Sequence, residues 1–428
     1  MKKIIYKGLD ETVYYEKLPN GLEVFMYPNE KARNFYLTYN VRFGSVDTEF
    51  KTGTMKNYTK VPNGTAHFLE HQMFQEEDGT AFEYFAKLGS SVNAFTTYNY
   101  TSYEVISSDN FKENLEYLLH YVETPVFKPG SVSKERGIIK EEIKMYDNTP
   151  MSVLNFGLEF NLNNVDGHKY LISGTEEDIA EITAETLYTC YDTFYTPSNM
   201  FLVLTGKFLP LEALGIIKEI EANREIAKKK KVTRKAPKEP VEVASDYEER
   251  QMDVSIPKLK VAYKLDKAKF KDYSDLELKI YFDAILQAKF GVISDLYESL
   301  TSEGLALYGM YPFREVRDDY ILLSFEIETD YKEQIIDSIR NELKNIKLSK
   351  EEVDRIRKAN ISNLILHFND IIEVAQDIED DVLSNGKIIE DILDLYENME
   401  LKAINDIASK IKLDNESIFY IDKLTVNV

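Results

Sequence analysis

Cysteine is almost absent from this sequence of 428 residues. The one cysteine, Cys190, excludes an intramolecular disulfide and any metal site built on cysteine ligands. A chain without disulfides fits a reducing compartment. Cys190 lies in a stretch rich in tyrosine and phenylalanine, so we expect a buried, unreactive side chain.

Long apolar runs and basic residues are also scarce. No run of about eighteen apolar residues could span a membrane, and the N-terminus offers only the short apolar step Ile4-Ile5, which does not match a secretory signal. The 52 basic residues are outnumbered by 74 acidic ones, which gives a formal charge of −22. Because phosphate binding needs dense lysine and arginine, neither nucleic acid nor a membrane is expected as a partner. We expect a cytoplasmic protein whose acidity keeps it in solution; the alternative function of the acidity is to attract cationic peptides.

The length of the chain exceeds one ordinary hydrophobic core and predicts two or more domains. Apolar residues make up 43% and charged residues 29%, which is typical of globular proteins. A basic run followed by two prolines sets residues 227–246 apart as a surface linker between domains at 1–226 and 247–428. The alternative for the basic run is a docking patch for an acidic partner.

Periodicity predicts a mixture of strands and helices in the first part of the chain. The predicted elements are a hairpin with an Asn20-Gly21 turn within residues 12–45, a strand at 35–43, a loop at 46–62, a helix at 79–88, two strands within 89–107 and a helix at 111–123.

The second part of the chain is similar to the first. Residues 185–208 and 401–424 each predict a helix, a polar break and an apolar strand, which indicates an internal repeat. The further predicted elements of this part are strands at 258–265 and 320–328 and helices at 276–290 and 332–346.

Histidine occurs only five times, so close spacing of two histidines is informative. His67 and His71 flank Glu70 within residues 63–75, which predict a helix. Side chains three and four positions apart share one face of a helix. Two imidazoles one turn apart can bind a single metal ion, and the carboxylate between them can hold a water near it. The alternative is a helix whose histidines bind no metal and only make ordinary hydrogen bonds in a core or at the surface.

A second predicted helix, residues 131–146, carries two acids on its apolar side. The predicted stripe consists of Val132, Ile138, Ile139, Ile143 and Tyr146. Glu135 and Glu142 fall on that stripe, where a carboxylate is costly unless it is paired or binds a cation. One interpretation is a third metal ligand with a supporting acid. The other is a stripe edge where both acids reach solvent.

The motif formed by His67, Glu70 and His71, together with this second helix, resembles the pitrilysin and insulin-degrading-enzyme superfamily of inverted-motif zinc peptidases, which includes mitochondrial processing peptidase. The resemblance covers essentially the whole chain and is strongest over residues 61–146 and 193–208. It extends in particular to bacterial half-length members that occur as paired subunits. It implies an α+β fold of two homologous α/β-roll domains, each a mostly antiparallel sheet packed against helices, that form half of a clamshell chamber.

The resemblance also implies a role for each motif residue. His67, His71 and Glu142 would bind one Zn²⁺ per chain, Glu70 would be the general base, and Glu135 would support the site. Glu141 competes with Glu142 as the third ligand, but it lies off the apolar face of the predicted helix.

Substrate binding can be assigned only through the resemblance. Asn93, Ala94, Phe95 and Thr96 resemble the edge strand whose backbone pairs with an extended substrate. Many relatives hold the substrate carbonyl with an arginine and a tyrosine from the second half. Here Thr301 and Leu307 stand at those positions, with Tyr308 adjacent as the remaining candidate.

The resemblance therefore implies a zinc-dependent endopeptidase that hydrolyses peptides or unfolded segments. The missing arginine implies a homologous second subunit that carries the Arg/Tyr pair, or else a homodimer. The alternative is a catalytically inert subunit, either structural or peptide-binding. Leader peptides of ribosomally made natural products and general oligopeptides are both candidate substrates, which the sequence does not rank.

Overall fold

The computed structural model describes residues 1–53, 55–224, 231–306 and 308–424. Contacts divide the chain into two units, and neither is one continuous piece. Unit 1 consists of Met1–Ile143, Leu171–Lys235 and Asn363–Asp394, and unit 2 consists of Lys144–Tyr170, Ala236–Ser362 and Leu395–Val428. The predicted boundaries at 1–226, 227–246 and 247–428 stay a prediction, and residues 225–230 lie outside the described ones.

Groups of strands and groups of helices follow one another along the described chain. The strands are β1 (Lys2–Tyr6), β2 (Glu11–Lys17), β3 (Glu23–Pro28), β4 (Phe35–Val41), β5 (Glu49–Thr52), β6 (Thr59–Lys60), β7 (Ser91–Thr96), β8 (Thr101–Ser107), β9 (Met200–Gly206), β10 (Val232–Arg234), β11 (Tyr247–Met252), β12 (Lys258–Asp266), β13 (Met310–Val316), β14 (Tyr320–Glu328) and β15 (Glu416–Lys423). The α-helices are α1 (Thr65–Met73), α2 (Ala81–Lys87), α3 (Phe111–Glu123), α4 (Pro129–Asn148), α5 (Pro150–Leu162), α6 (Glu176–Glu181), α7 (Ala184–Phe194), α8 (Pro210–Asn223), α9 (Asp275–Phe290), α10 (Asp295–Ser302), α11 (Lys332–Lys344), α12 (Lys350–His367), α13 (Ile371–Asn385), α14 (Ile392–Glu397) and α15 (Leu401–Ser409). Within the described residues, no helix is both long and apolar enough to cross a bilayer.

The main sheet of unit 1 has seven strands in the order β1-β2-β3-β9-β4-β8-β7. The predicted hairpin is confirmed as β2 and β3, which pair antiparallel around Gly21 at a φ of 100°. The late strand β9 inserts parallel to β3 and antiparallel to β4. β7 therefore lies at the edge of the sheet, paired with β8.

The apolar core of unit 1 covers one face of this sheet. In β4 and β8, Leu37, Tyr39 and Tyr103 are fully buried in it, because alternate residues of a strand face the same side. Cys190 belongs to the same core, as predicted, and burial raises the pKa of its thiol. Helix α1 buries Phe68, Leu69 and Met73 here, so packing determines which way the rest of α1 faces.

Unit 2 repeats the topology around a five-stranded sheet. Its order is β11-β15-β12-β14-β13, in which β15 is parallel to β11 and antiparallel to β12. β15 thus takes the place that β9 has between β3 and β4 in unit 1. The predicted internal repeat and the α+β class with two homologous sheets are confirmed.

Two segments predicted as a loop and a surface linker pair with each other. Within residues 46–62, β5 pairs with β6 and with β10, and β10 falls inside the predicted linker. Arg234 also donates from Nε to the buried Asp47 carboxylate at 2.6 Å. The prediction of a loop at 46–62 was wrong because these strands are short and their partner is distant in sequence.

Candidate metal centre

Helix α1 begins at a backbone position that only glycine adopts without strain. Gly64 caps the helix at a φ of 78°, and a Cβ there would lie 2.7 Å from the carbonyl carbon of Ser173. The close approach determines where α1 starts and places His67 in its first turn. The predicted helix is confirmed, two residues shorter at each end.

Helix α4 supplies the acids opposite α1. Its buried residues are Val132, Glu135, Ile139 and Ile143, which share one face at helical spacing. The helix was predicted correctly, but Ile138 was wrongly included in the stripe, since its side chain is 48% exposed. Ile138 lies one position from Ile139, which turns it about 100° around the axis and out of the packed face.

Side chains from α1 and α4 converge on one point. His67 Nε2 lies 3.6 Å from Glu142 Oε1, and His71 Nε2 lies 3.4 Å from Glu142 Oε2. One ligand atom from each of the three residues lies within 4.8 Å of the others. Tetrahedral ligands at zinc bond lengths are about 3.4 Å apart, so these separations fit a Zn²⁺ ion between the three groups. Glu141 is exposed on α4 and is not a member of this cluster.

Glu135 contacts the same site from behind His71. Its Oε1 lies 3.0 Å from His71 Nδ1, and its side chain is buried. Burial lowers the pKa of His71, but the Glu135 hydrogen bond and the charges of Glu70 and Glu142 outweigh it, so that the net pKa is raised. A carboxylate on Nδ1 orients the ring so that Nε2 faces the ligand position, an arrangement common behind metal-binding histidines.

Glu70 is buried beside the two imidazoles. Thr96 donates from Oγ1 to Glu70 Oε2 at 3.1 Å, which ties α1 to the end of β7. Burial raises the pKa of Glu70, against the charges of His67 and His71 and the hydrogen bond of Thr96. This contact of Thr96 was missed, because Thr96 was singled out only as part of a strand and nothing in the local sequence indicates its partner.

The predicted substrate strand corresponds to β7 at the edge of the sheet. Within the described part of the chain, its backbone pairs with β8 on one side only. Asn93 is exposed, while Ala94, Phe95 and Thr96 are half-buried. The pairing of a substrate with this edge stays a prediction.

The second-half residues considered for carbonyl binding lie in unit 2. Thr301 is on α10 and donates to the Tyr297 carbonyl at 2.7 Å, and Tyr308 is exposed just before β13. Leu307 lies outside the described residues. Any role of Tyr308 toward a substrate stays a prediction.

Comparisons with known proteins agree with this geometry. A family model described as Insulinase (Peptidase family M16) matches residues 40–164, and one described as Peptidase M16 inactive domain matches residues 181–360. The "Uncharacterized zinc protease YmfH" of Bacillus subtilis (strain 168) is 37% identical over 305 residues, 71% of either chain. Other proteins named as zinc proteases match over half of their own length or less, among them the "Uncharacterized zinc protease YmxG" of Bacillus subtilis (strain 168), 26% identical over 47% of either chain.

Solved structures share the fold over nearly the whole chain. An M16-like peptidase from Alicyclobacillus acidocaldarius is similar with a TM-score of 0.91 and 26% identity, covering 97% of this chain and 99% of that one. The periplasmic protease PqqL from Escherichia coli shares the fold with a TM-score of 0.72 at 18% identity, covering 96% of this chain but 48% of its own.

Proposed function

The chain belongs to the M16 (insulinase) family of peptidases, and from this premise we propose that it is a zinc-dependent endopeptidase acting on peptides or unfolded segments. One observation carries the proposal: His67, His71 and Glu142 converge from two helices, with Glu70 buried beside them. An inert subunit would have no need to keep a base and three ligands together.

The residues at the site fit zinc by donor type as well as by spacing. Two imidazoles and one carboxylate are a common set in catalytic zinc sites, which keep a further position for water or substrate. His67, His71 and Glu142 would hold the ion, and Glu135 would orient His71. When bound, zinc supplies a Lewis acid that acidifies water and polarises a carbonyl group.

Glu70 would move the proton in the reaction. Its carboxylate would accept a proton from the attacking water and return it to the amine of the leaving product. The hydrogen bond from Thr96 to Oε2 restricts rotation of the Glu70 carboxylate, and the burial of Glu70 keeps competing bulk water away.

The exposed edge of β7 would bind the substrate as an added strand. Thr96, at the end of β7, contacts Glu70, so a peptide lying along β7 would pass the proposed base. Strand addition requires an extended chain, which favours peptides and unfolded segments over folded proteins.

The donor for the developing oxyanion would come from a second chain, with Tyr308 as the candidate within this one. This chain corresponds at the level of fold to about half of PqqL, which supports a pair of such chains as the complete assembly. The partner would be a homologous subunit that carries the Arg/Tyr pair, or a second copy of this chain.

Glu70→Gln tests the catalytic assignment. We expect zinc binding to be kept and cleavage of an unstructured fluorogenic peptide to fall by about 10²- to 10⁴-fold, because the ligands remain and only the base is lost. Zinc content is measured by elemental analysis, and turnover is measured with and without a chelator.

The matched control is Glu141→Gln, which alters an exposed neighbour of the ligand Glu142 and should leave both readings unchanged. Equal turnover by the Glu70→Gln and unmodified chains would refute the catalytic role. A well-folded chain that binds no zinc would favour the inert subunit instead.

A further inference from the structure

A layer of polar side chains is buried between the sheet of unit 1 and α13. Thr38 and Asn40 of β4 and Ser102 of β8 are fully buried on the face opposite the apolar core, and Glu379 of α13 is 2% exposed. Glu379 accepts hydrogen bonds from Thr38 Oγ1 and from Asn40 Nδ2, the latter at 3.0 Å. Polar groups in such a layer are costly unless they are satisfied.

In the described part of the chain, the titratable groups that interact with Glu379 are all acids. The titratable groups that act on it or respond to it are Glu104 of β8, Tyr36 of β4, Tyr100 of the β7–β8 turn and Asp380 of its own helix. The ion pairs found among the described residues include no base for Glu379 or Glu104. Glu379 is buried and Glu104 is half-buried, and two such carboxylates without a cation cannot both be charged at low cost.

Glu379 is the more deeply buried of the two acids, which favours its protonated form over that of Glu104. Burial raises its pKa to about 7, with Glu104 and Asp380 adding to the increase and the hydrogen bonds of Thr38 and Asn40 opposing it. A protonated carboxyl group also adds a donor to a layer in which Asn40 Oδ1 has no hydrogen-bond partner among the described residues.

Glu104 connects this layer to the edge strand. It lies directly across from Thr38 on one side and from Asn93 of β7 on the other. Its carboxylate accepts hydrogen bonds from the Tyr36 hydroxyl and from the Asn93 side chain. The order Glu379, Thr38, Glu104, Asn93 therefore runs from α13 across the sheet to the proposed substrate strand.

We propose that Glu379 is a proton-dependent positioning residue for β7. When neutral, it lets Glu104 carry the charge that holds Asn93. When Glu379 is ionised, it repels Glu104. This repulsion weakens both the packing of α13 on the sheet and the hydrogen bond that holds β7. The part concerning β7 rests on the proposed function, whereas the part concerning α13 does not.

The pH dependence has a definite sign. The ordinary glutamate pKa is 4.5, so between pH 4.5 and about 7 the folded chain holds a proton that the unfolded chain has lost. The stabilising effect is complete below pH 4.5 and is lost as the pH rises to about 7. A pKa difference of this size corresponds to a change of about 300-fold in the opening equilibrium.

Glu379→Gln tests the seating of α13, because glutamine keeps the acceptor and cannot ionise. The readout is hydrogen–deuterium exchange of residues 371–385 and 91–96. At each pH the exchange rate of the variant is divided by that of the unmodified chain, which cancels the intrinsic rates. We expect the protection of both segments in the unmodified chain to fall relative to the variant by up to about 300-fold between pH 4.5 and 7.5. Glu373→Gln, an exposed acid on the same helix, should follow the unmodified chain.

A ratio that does not change with pH would overturn the proposal. Glu104→Gln is the second variant, and it should reduce the same pH dependence by removing the neighbouring charge. If Glu379→Gln does not fold, Glu104→Gln provides the test. A pH dependence of exchange in Glu104→Gln equal to that of the unmodified chain would then overturn the proposal.

Peptide kinetics separate this inference from the proposed function. KM and kcat for an extended peptide are measured for the unmodified chain and for Glu379→Gln, and each is expressed as the ratio of the first protein to the second. We expect the KM ratio to rise from pH 6 to pH 8 while the kcat ratio stays constant. A flat KM ratio together with a pH-dependent exchange ratio would overturn the connection to β7. If no form of the protein cleaves peptides, the proposed function fails, and the exchange data still decide the role of Glu379 at α13.

Discussion

Glu135 shows how much of the candidate site depends on a residue outside the ligand set. It is buried on α4, and its carboxylate touches His71 on the side away from Glu142. Without this contact the imidazole could rotate or change tautomer, and Nε2 would face Glu142 for part of the time only.

Glu135→Gln should therefore lower zinc affinity by about 10- to 100-fold without unfolding the chain, because an amide supports His71 less strongly than a carboxylate. The Kd is measured by competition with a zinc-binding dye, with Glu141→Gln as the exposed control on the same helix. An unchanged Kd would mean that His71 is oriented by packing alone.

Helical periodicity is the reason that the residues of the candidate site could be identified from the sequence. His67, Glu70 and His71 share a face of one helix whatever it packs against, and the seven-residue spacing of Glu135 and Glu142 does the same on another. The contacts of Thr96 with Glu70 and of Glu379 with the β4 side chains depend instead on which strands and helices meet, so no local pattern could indicate them.

At the level of elements, the start of α1 determines the position of the two candidate ligands that it carries. Gly64 adopts a positive φ against the backbone of Ser173 and Gly174, so the first turn begins where that segment allows. His67 follows three residues later, and a shift of α1 would move both imidazoles together.

Gly64→Ala should weaken both folding and zinc binding. The left-handed backbone alone costs roughly 1–2 kcal/mol for alanine, and the contact of its Cβ with Ser173 adds to that. Gly89→Ala is the matched control, since Gly89 has a φ of 71° with nothing within 4 Å of the added Cβ. Melting temperature and zinc Kd are measured for both, and equal effects would show that the contact with Ser173 is unimportant.

The long elements were predictable from the sequence, whereas the short ones were not. α3, β12 and β14 carry an apolar pattern along their length that identifies them without a partner. β5 and β10 are each at most four residues long, and their pairing is the only reason that they are strands.

At the level of the whole molecule, both units contain a similar sheet, but the cluster of possible metal ligands found among the described residues lies in unit 1. Thr301 stands where the resemblance leads us to expect an arginine, so under the proposed function this chain would hold the ligands and the base but not a full set of groups for the substrate carbonyl. That asymmetry is the reason for proposing a second chain.

Addition of a homologous subunit carrying the Arg/Tyr pair should raise peptide turnover by about 10²- to 10³-fold, the size expected for an added oxyanion donor. The assay mixes the purified chains at a fixed ratio and compares turnover with the molar mass from light scattering. The same partner added to Glu70→Gln should give no such gain. Full turnover by this chain as a monomer would contradict the two-chain arrangement.

The interleaved make-up of the two units has a consequence for synthesis on the ribosome. The face of β4 that carries Thr38 and Asn40 is covered by α13, and Thr205 donates to the Ile371 carbonyl at 2.7 Å. These strands emerge from the exit tunnel long before Ile371 is translated. During that interval the face that α13 covers in the folded chain has no cover, so the sheet of unit 1 can complete its packing only after α13 has been translated.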